Sequence, residues 1–328
     1  MTGLRPKQFE SGHNMRAEFL RRGVYGFAMG DAYGVPYEFS QTNIDNNNEM
    51  IGSDSQLAGS WSDDTSMVLA SIMALTGMYD PKAMMQNFDD YLYQGAFTPN
   101  QRAFGYGEET EAAIKYFHDQ GKFGDFGKDN PMGNGNGALM RVWPIAFYDF
   151  PSDQTLEQVV DEVTGLTHGQ MRSKLVSRLF VYFIRLMPRM KNVDRALMQA
   201  IRAINRQPAI QSLLEQEELG KFVISDEQSV TDIVDQLRQQ SRSDIVPSGY
   251  VIDTLNTVLW TVLNHEDYES AVIDVVSLGG DTDTNAALVG LVMSFIDEQL
   301  PKHWFDTLQA KNKIESVLIL ADESQKFD

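Results

Sequence analysis

Apolar residues recur at three- and four-residue spacing along most of the chain, a pattern typical of amphipathic helices rather than of alternating strands. The first such stretch begins at Arg16, where Phe19, Leu20, Val24 and Phe27 fall on one helical face. The same periodicity predicts further helices over residues 66–79, 81–93, 108–120, 156–166, 173–187, 193–205, 230–239, 250–263, 268–278, 285–298 and 304–321. We therefore expect an all-α fold, a compact orthogonal assembly of many helices.

The segments between these helices predict how the chain is organised. Residues 1–15 are polar and glycine-bearing and are expected to form an N-terminal arm. Residues 206–247 are charged and glutamine-rich and are expected to form a variable surface insertion. Because the sequence shows no internal repeat and no clear linker, residues 16–328 are predicted to form a single domain.

Composition narrows the classes of protein that fit. The chain has 328 residues and no cysteine, which excludes a disulfide framework and a thiolate metal site. Its 46 acidic and 27 basic residues give a net charge of −19, which disfavours nucleic-acid binding and suits a divalent cation or a basic protein partner. The sequence has neither a secretory signal nor a membrane-spanning stretch, so we expect a soluble, cytoplasmic protein.

Two short acidic clusters are candidate metal-binding turns. The first, WSDDTSM at residues 61–67, stands at a helix entry, where helix capping is the more usual explanation and metal binding is the alternative. The second, GGDTDTN at residues 279–285, carries Asp281 and Asp283. Side chains two apart on a helix diverge, so these carboxylates converge only on a turn, which the paired glycines permit. Converging carboxylates repel unless a cation lies between them, so this cluster favours metal binding.

The ligand types indicate which metal fits. Carboxylate and hydroxyl oxygens favour magnesium, manganese or calcium over zinc, and the five histidines show no paired zinc spacing. An EF-hand is excluded because Ala286 stands where its loop needs glycine. A phosphate-binding P-loop is excluded because no Gly-Lys-Ser/Thr follows the glycines.

Other candidate residues have plausible structural roles too. Glu38 follows a glycine- and alanine-rich helix that would pack closely in any fold, yet it could also act as a ligand or base. The glycine-rich loop Gly133, Asn134, Gly135, Asn136 and Gly137 leads into a helix and could hold a diphosphate through its N–H groups. A histidine such as His168 is more often structural than catalytic. Ser248, Gly249 and Tyr250 precede a helix and are typical of an N-terminal cap.

Taken together and in order, these motifs resemble the ADP-ribosylglycohydrolase family, which includes the dinitrogenase-reductase-activating glycohydrolase and the ADP-ribosylarginine hydrolases. The matching segments are GFAMGDAYGVPYE, WSDDTSM, GNGNGALMRVWP, THG, SGYVIDTL and SLGGDTDTNAA, spread over residues 26–290. The chain departs from the family in the bulky residues 291–298, where small residues are usual. The resemblance implies an all-α fold with two divalent cations, magnesium or manganese.

The resemblance also implies site residues. The implied metal ligands are Ser62, Asp63, Asp64, Asp281, Asp283 and Thr284. The implied substrate-binding residues are Gly133, Asn134, Gly135, Asn136, Gly137, His168, Ser248, Gly249 and Tyr250. Glu38, Asp64 and Asp283 remain unranked candidates for the catalytic base.

The expected activity is removal of ADP-ribose from a modified protein, with arginine as the leading hypothesis for the linkage. The alternatives are another ADP-ribosyl linkage (serine, a nucleic-acid base or O-acetyl-ADP-ribose) and a catalytically silent protein that binds ADP-ribose or a toxin. A further hypothesis is immunity against an ADP-ribosylating toxin, in which the N-terminal arm and the acidic surface would contact the basic partner.

Overall fold

The computed structural model describes residues 15–40, 48–130, 132–150, 155–225, 229–297 and 299–327. Within these ranges the chain forms fifteen α-helices and four short 3₁₀ helices, with no β-strand, so the predicted all-α fold class is confirmed. The α-helices are α1 (Met15–Gly34), α2 (Asp63–Leu75), α3 (Pro81–Gln94), α4 (Glu108–Gln120), α5 (Leu139–Val142), α6 (Leu156–Gly165), α7 (Met171–Met190), α8 (Val193–Ile204), α9 (Pro208–Gln216), α10 (Val230–Arg238), α11 (Val251–Asn264), α12 (Tyr268–Val276), α13 (Thr282–Met293), α14 (Lys302–Thr307) and α15 (Lys311–Ser324). The 3₁₀ helices are Val35–Tyr37, Trp143–Phe147, Gly220–Phe222 and Arg242–Asp244.

Local sequence sets many helix ends. The Asp80 side chain accepts a hydrogen bond from Lys82 N and Pro81 follows it, so α3 starts with a side-chain cap and a proline in its first turn. Thr155 and Gln158 form a reciprocal capping box at the start of α6. Gly95 ends α3 in the left-handed conformation, which glycine adopts without strain. These boundaries lie close to those that the periodicity predicts.

Helices α1 and α13 pack side by side along the whole length of α13, and all twelve residues of α13 are buried. Their backbones approach closely because small residues lie between them: a Cβ at Gly30 would lie 2.2 Å from the carbonyl oxygen of Ala286. The bulky Leu291 is accommodated by Gly23, where a Cβ would lie 2.9 Å from Leu291 Cδ1. This close packing brings the end of α1 next to the start of α13.

One predicted helix is divided in the structure, and part of the predicted insertion is buried. The single helix expected over 304–321 is wrong, because the chain breaks between α14 and α15, where Ala310 has a left-handed φ of 40°. Within 206–247, α10 buries Ile233, Val234 and Leu237 against α8 and α11, so this segment contributes to the core.

The predicted arm lies outside the described residues except for Met15, which opens α1. Among the helices described, none is both long and apolar enough to cross a lipid bilayer. The division into an arm and one domain remains a prediction.

Candidate metal centre and ligand pocket

The first acidic turn is held in place by a buried carboxylate from α1. Ser62 caps α2, and its Oγ accepts a hydrogen bond from Asp64 N at 3.2 Å. The carboxylate of Asp31 accepts hydrogen bonds from Ser62 N at 2.9 Å, Thr65 N at 3.0 Å and Thr65 Oγ1 at 2.6 Å. Asp31 therefore fixes the position of the first turn of α2 relative to α1.

The second acidic turn depends on two glycines. Gly279 and Gly280 have φ values of 79° and 71°, in the left-handed region that favours glycine. The backbone N–H of Asp281 donates to Pro247 O at 2.8 Å, and Phe39 N donates to Gly280 O at 2.8 Å. The second contact brings the segment that carries Glu38 alongside the turn.

The two turns meet, and their carboxylates form two groups that share Asp283. In one group, oxygen atoms of Asp31, Asp64 and Asp283 all lie within 4.8 Å of one another. In the other, oxygen atoms of Glu38, Asp281 and Asp283 satisfy the same limit. Two such groups with one common member could hold a pair of divalent cations.

The Thr284 hydroxyl joins the two turns, and one predicted ligand belongs to neither carboxylate group. Thr284 Oγ1 donates to Asp64 Oδ2 at 3.2 Å, and Ser62 Oγ reaches the same oxygen at 3.1 Å. Asp63 is buried but belongs to neither three-carboxylate group; a Cβ at Gly105 would lie 2.6 Å from its Oδ1. Ligand roles for these six residues remain predictions.

Burial makes the cluster electrostatically unfavourable. Desolvation, followed by repulsion from neighbouring carboxylates, raises the pKa of Asp63, Asp64 and Asp283 well above the usual range. Desolvation raises the pKa of Asp31 to about 6, and desolvation together with Asp281 and Asp31 raises the pKa of Glu38 to about 7.

The donor set fits a hard divalent cation. Asp64 Oδ1 is buried without a hydrogen-bond partner among the described residues, which is costly unless another positive group approaches it. Oxygen ligands from carboxylates and hydroxyls suit magnesium and manganese. A cation between the carboxylates would remove the repulsion that raises their pKa values.

A cavity of about 210 Å³ opens beside the carboxylates. The glycine-rich loop forms part of its wall and is connected to the segment before α11: Asn136 N donates to Gly249 O at 3.0 Å, and Val251 N donates to Asn134 O at 2.9 Å. Asn136 Nδ2 also donates to Asp281 Oδ2 at 2.7 Å. The loop is thus directly hydrogen-bonded to the second acidic turn.

The predicted substrate-binding residues divide into two sets. Those that line the cavity are Gly135, Asn136, Gly137, His168 and Gly249. Those outside its lining are Gly133, Asn134, Ser248 and Tyr250. Ser248 Oγ donates to Asp253 Oδ2 at 2.7 Å, and Tyr250 Oη donates to Glu218 Oε2 at 3.1 Å. These contacts support the segment structurally, and a substrate role for any of these residues remains a prediction.

Two residues at the site had no role assigned from sequence. Asp31 lies inside the motif that ends at Glu38, but nothing local distinguishes it from an ordinary helical residue. Glu109 lines the cavity from the first turn of α4, where acidic residues are already common because they suit the helix dipole. The nearest sequence signal is the pair of glycines Gly105 and Gly107 just before Glu109, and the structure shows that both line the cavity.

The chain is similar to known proteins in sequence and in fold. The family model described as ADP-ribosylglycohydrolase matches residues 13–327. The chain is 27% identical over 300 residues to "ADP-ribosylarginine hydrolase Tri1" of Serratia proteamaculans (strain 568), covering 90% of this chain and 76% of that protein. A protein of the same name from Pseudomonas putida (strain GB-1) is 25% identical over 300 residues, covering 90% and 75%. A solved structure described as an "ADP-ribosylglycohydrolase-related protein complex" matches with a TM-score of 0.68 at 21% identity, covering 94% of this chain and 99% of that one.

Proposed function

The chain belongs to the ADP-ribosylglycohydrolase family and is a hydrolase, and we propose that it cleaves ADP-ribose from arginine side chains of proteins. The observation that carries this proposal is the pair of carboxylate groups sharing Asp283, which open onto a cavity walled by a glycine-rich loop. Both hydrolases named above are described as acting on ADP-ribosylarginine, and each match covers most of this chain.

We propose that the two turns hold two divalent cations, magnesium or manganese. Asp64, Asp281 and Asp283 would hold them with Asp31 and Glu38, the other members of the two carboxylate groups. Ser62, Asp63 and Thr284 are the further ligands that the family resemblance implies. When bound, such cations supply Lewis acidity that orients ribose hydroxyls and lowers the pKa of a water molecule. Asp31 keeps the first turn in place, and Asn136 does the same for Asp281 through the 2.7 Å hydrogen bond.

Among the three candidate bases, the geometry favours Glu38. Asp64 and Asp283 are almost completely buried, whereas Glu38 is partly exposed where the cavity opens. Beside a bound cation its raised pKa would fall, so the carboxylate would be ionised at neutral pH and able to accept a proton from water. Positive charge developing on the sugar during bond cleavage would be stabilised by the same carboxylates.

The test is release of ADP-ribose from ADP-ribosylarginine protein by the purified chain with magnesium or manganese. Glu38→Gln should lower kcat by about 100-fold or more, because a general base contributes at least that much. Glu49→Gln removes an exposed carboxylate on a neighbouring segment and should leave the rate unchanged. Full turnover by Glu38→Gln would exclude Glu38 as the base.

The linkage itself needs a substrate panel. ADP-ribosylarginine, ADP-ribosylserine, an ADP-ribosylated nucleic-acid base and O-acetyl-ADP-ribose should be compared under identical conditions. We expect the largest kcat/KM for arginine; a preference for another member would replace arginine in the proposal. Tight binding of ADP-ribose with no turnover on any linkage would instead indicate a silent binding protein.

A role in immunity against an ADP-ribosylating toxin is a further proposal, supported by the net charge of −19, which suits a basic partner. It would place the enzyme in the cytoplasm, where a toxin's targets lie. Pull-down of a cognate transferase by the full chain and by a chain lacking residues 1–15 tests both the partner and the arm. Equal capture by both chains would exclude a contribution of the arm.

A further inference from the structure

Glu109 places a carboxylate directly against the glycine-rich loop. The backbone N–H of Gly135 stabilises its ionised form and so opposes the rise in pKa that burial causes, and Asn130 Nδ2 lies 3.5 Å from its Oε1. A Cβ at Gly133 would lie only 2.1 Å from the same Oε1. A carboxylate of the chain itself therefore already lies beside the N–H groups of the loop that could bind an anion.

His168 faces the same carboxylate, and the groups behind the ring influence its tautomer. A guanidinium can only donate, so Arg141 Nη2 donates to Thr167 Oγ1 at 2.7 Å. Thr167 Oγ1 also lies 2.8 Å from His168 Nδ1, and its own hydrogen is free to be donated there. When Nδ1 accepts this hydrogen, the hydrogen of the neutral ring is on Nε2, which lies 3.5 Å from Glu109 Oε2.

The charge of the ring is fixed as well. Burial, and then the nearby Arg141 guanidinium, lowers the pKa of His168 to about 3, so the ring is neutral at physiological pH. Arg141 is itself fully buried, and burial lowers its pKa to about 9, which leaves it charged at neutral pH. In the tautomer with hydrogen on Nε2, the neutral His168 ring presents an N–H donor to the cavity.

We propose that Glu109 is an internal stand-in for a phosphate group of the ligand, which must displace its carboxylate from the donors of Gly135 and His168. The proposal rests on the proposed function, because it requires a ligand that carries the diphosphate of ADP-ribose. A phosphate oxygen and a carboxylate cannot share these N–H groups, and two anions this close repel. Glu109 therefore weakens the binding of ADP-ribose and favours its release as product.

The test is direct titration of the full chain, with magnesium present, using ADP-ribose, ADP and adenosine as probes. Glu109→Gln and Glu109→Ala should each bind ADP-ribose and ADP about tenfold more tightly than the unmodified protein, because a competing charge is removed. Adenosine has no phosphate and should bind equally to all. Glu108→Gln is the matched control: it makes the same charge change at the exposed neighbouring position and should leave all three affinities unchanged.

Several results would overturn the proposal. Equal affinities for Glu109→Gln and Glu108→Gln would show that the carboxylate does not compete. Weaker binding of ADP-ribose by both Glu109 variants would show that Glu109 is an acceptor for the ligand. No detectable ADP-ribose binding by any of the proteins would remove the ligand on which the proposal depends.

The hydrogen-bond relay gives an independent readout. Thr167→Val removes the hydroxyl that links Arg141 to His168, so ¹⁵N NMR should show loss of the single Nε2–H tautomer, and ADP-ribose affinity should fall several-fold. Thr164→Val is the control, since the Thr164 hydroxyl is buried without a hydrogen-bond partner among the described residues. An unchanged tautomer and affinity in Thr167→Val would refute the relay.

These measurements are separable from the hydrolysis assay. If ADP-ribosylarginine is not cleaved but the Glu109 variants bind ADP-ribose more tightly, competition by Glu109 is supported and the arginine linkage is refuted. If ADP-ribosylarginine is cleaved and the Glu109 variants bind like the control, the arginine linkage is supported and competition by Glu109 is refuted.

Discussion

Replacing Asp283 by asparagine should stabilise the metal-free protein while abolishing its hydrolytic activity. Asp283 is buried, and its oxygen atoms lie within 4.8 Å of carboxylates in both acidic groups. Two ionised carboxylates at that separation repel by about 3 kcal/mol at an effective dielectric constant of about 20. Because neighbouring groups protonate to relieve part of this repulsion, we expect the free energy of unfolding to rise by about 1–3 kcal/mol at about pH 8.

The pH dependence has a definite sign. Burial and repulsion raise the pKa of Asp64 and Asp283 above the values they have in the unfolded chain, and raise that of Glu38 to about 7. The folded state therefore binds more protons than the unfolded state between about pH 4 and the raised pKa values. The stability of the metal-free protein should fall as pH rises through this window, and Asp283→Asn should make the decline shallower.

The assay is thermal unfolding in chelator at about pH 5 and about pH 8, repeated with magnesium or manganese. For a chain of 328 residues, 1–3 kcal/mol corresponds to an increase in Tm of about 2–4 °C. Added cation should raise the Tm of the unmodified protein and not that of Asp283→Asn. Asp54→Asn, which changes an exposed carboxylate, should behave like the unmodified protein. If Asp283→Asn melts at the same or a lower temperature in chelator and still responds to cation, the electrostatic argument is refuted.

Two further substitutions test the geometry of the second turn. Gly280→Ala places a Cβ 2.0 Å from Pro247 O at a φ of 71°, so it should lower activity at least tenfold and Tm by several degrees. The control, Gly121→Ala, has a φ of 65° but no atom near the added Cβ, so it carries only the backbone strain of about 1 kcal/mol. Equal losses for the two variants in unfolding and activity assays would contradict the steric argument. Asn136→Ala removes the hydrogen bond to Asp281 and should raise the magnesium concentration needed for half-maximal hydrolysis about 10- to 100-fold, measured by titrating the rate against metal. An unchanged metal requirement would show that the bond does not position Asp281.

The amino-acid sequence determined the helices and the two acidic turns, because both depend on neighbours within a few residues. Helical periodicity predicts most elements near their observed bounds, and the paired glycines predict the left-handed turn before Asp281. The prediction fails at Ala310: apolar residues continue at helical spacing on both sides of it, so the apolar pattern does not mark the left-handed residue that separates α14 from α15.

Only the tertiary structure decided which side chains meet. Thr284 and Asp64 are 220 positions apart, and their 3.2 Å contact exists because α1 and α13 pack closely enough to bring both turns together. The roles of Asp31, Glu109 and Arg141 arise in the same way, since each resembles an ordinary helical residue until its partners are known. A carboxylate's chemistry depends on the charges and donors within a few ångströms of it, and the packing of distant segments fixes those neighbours.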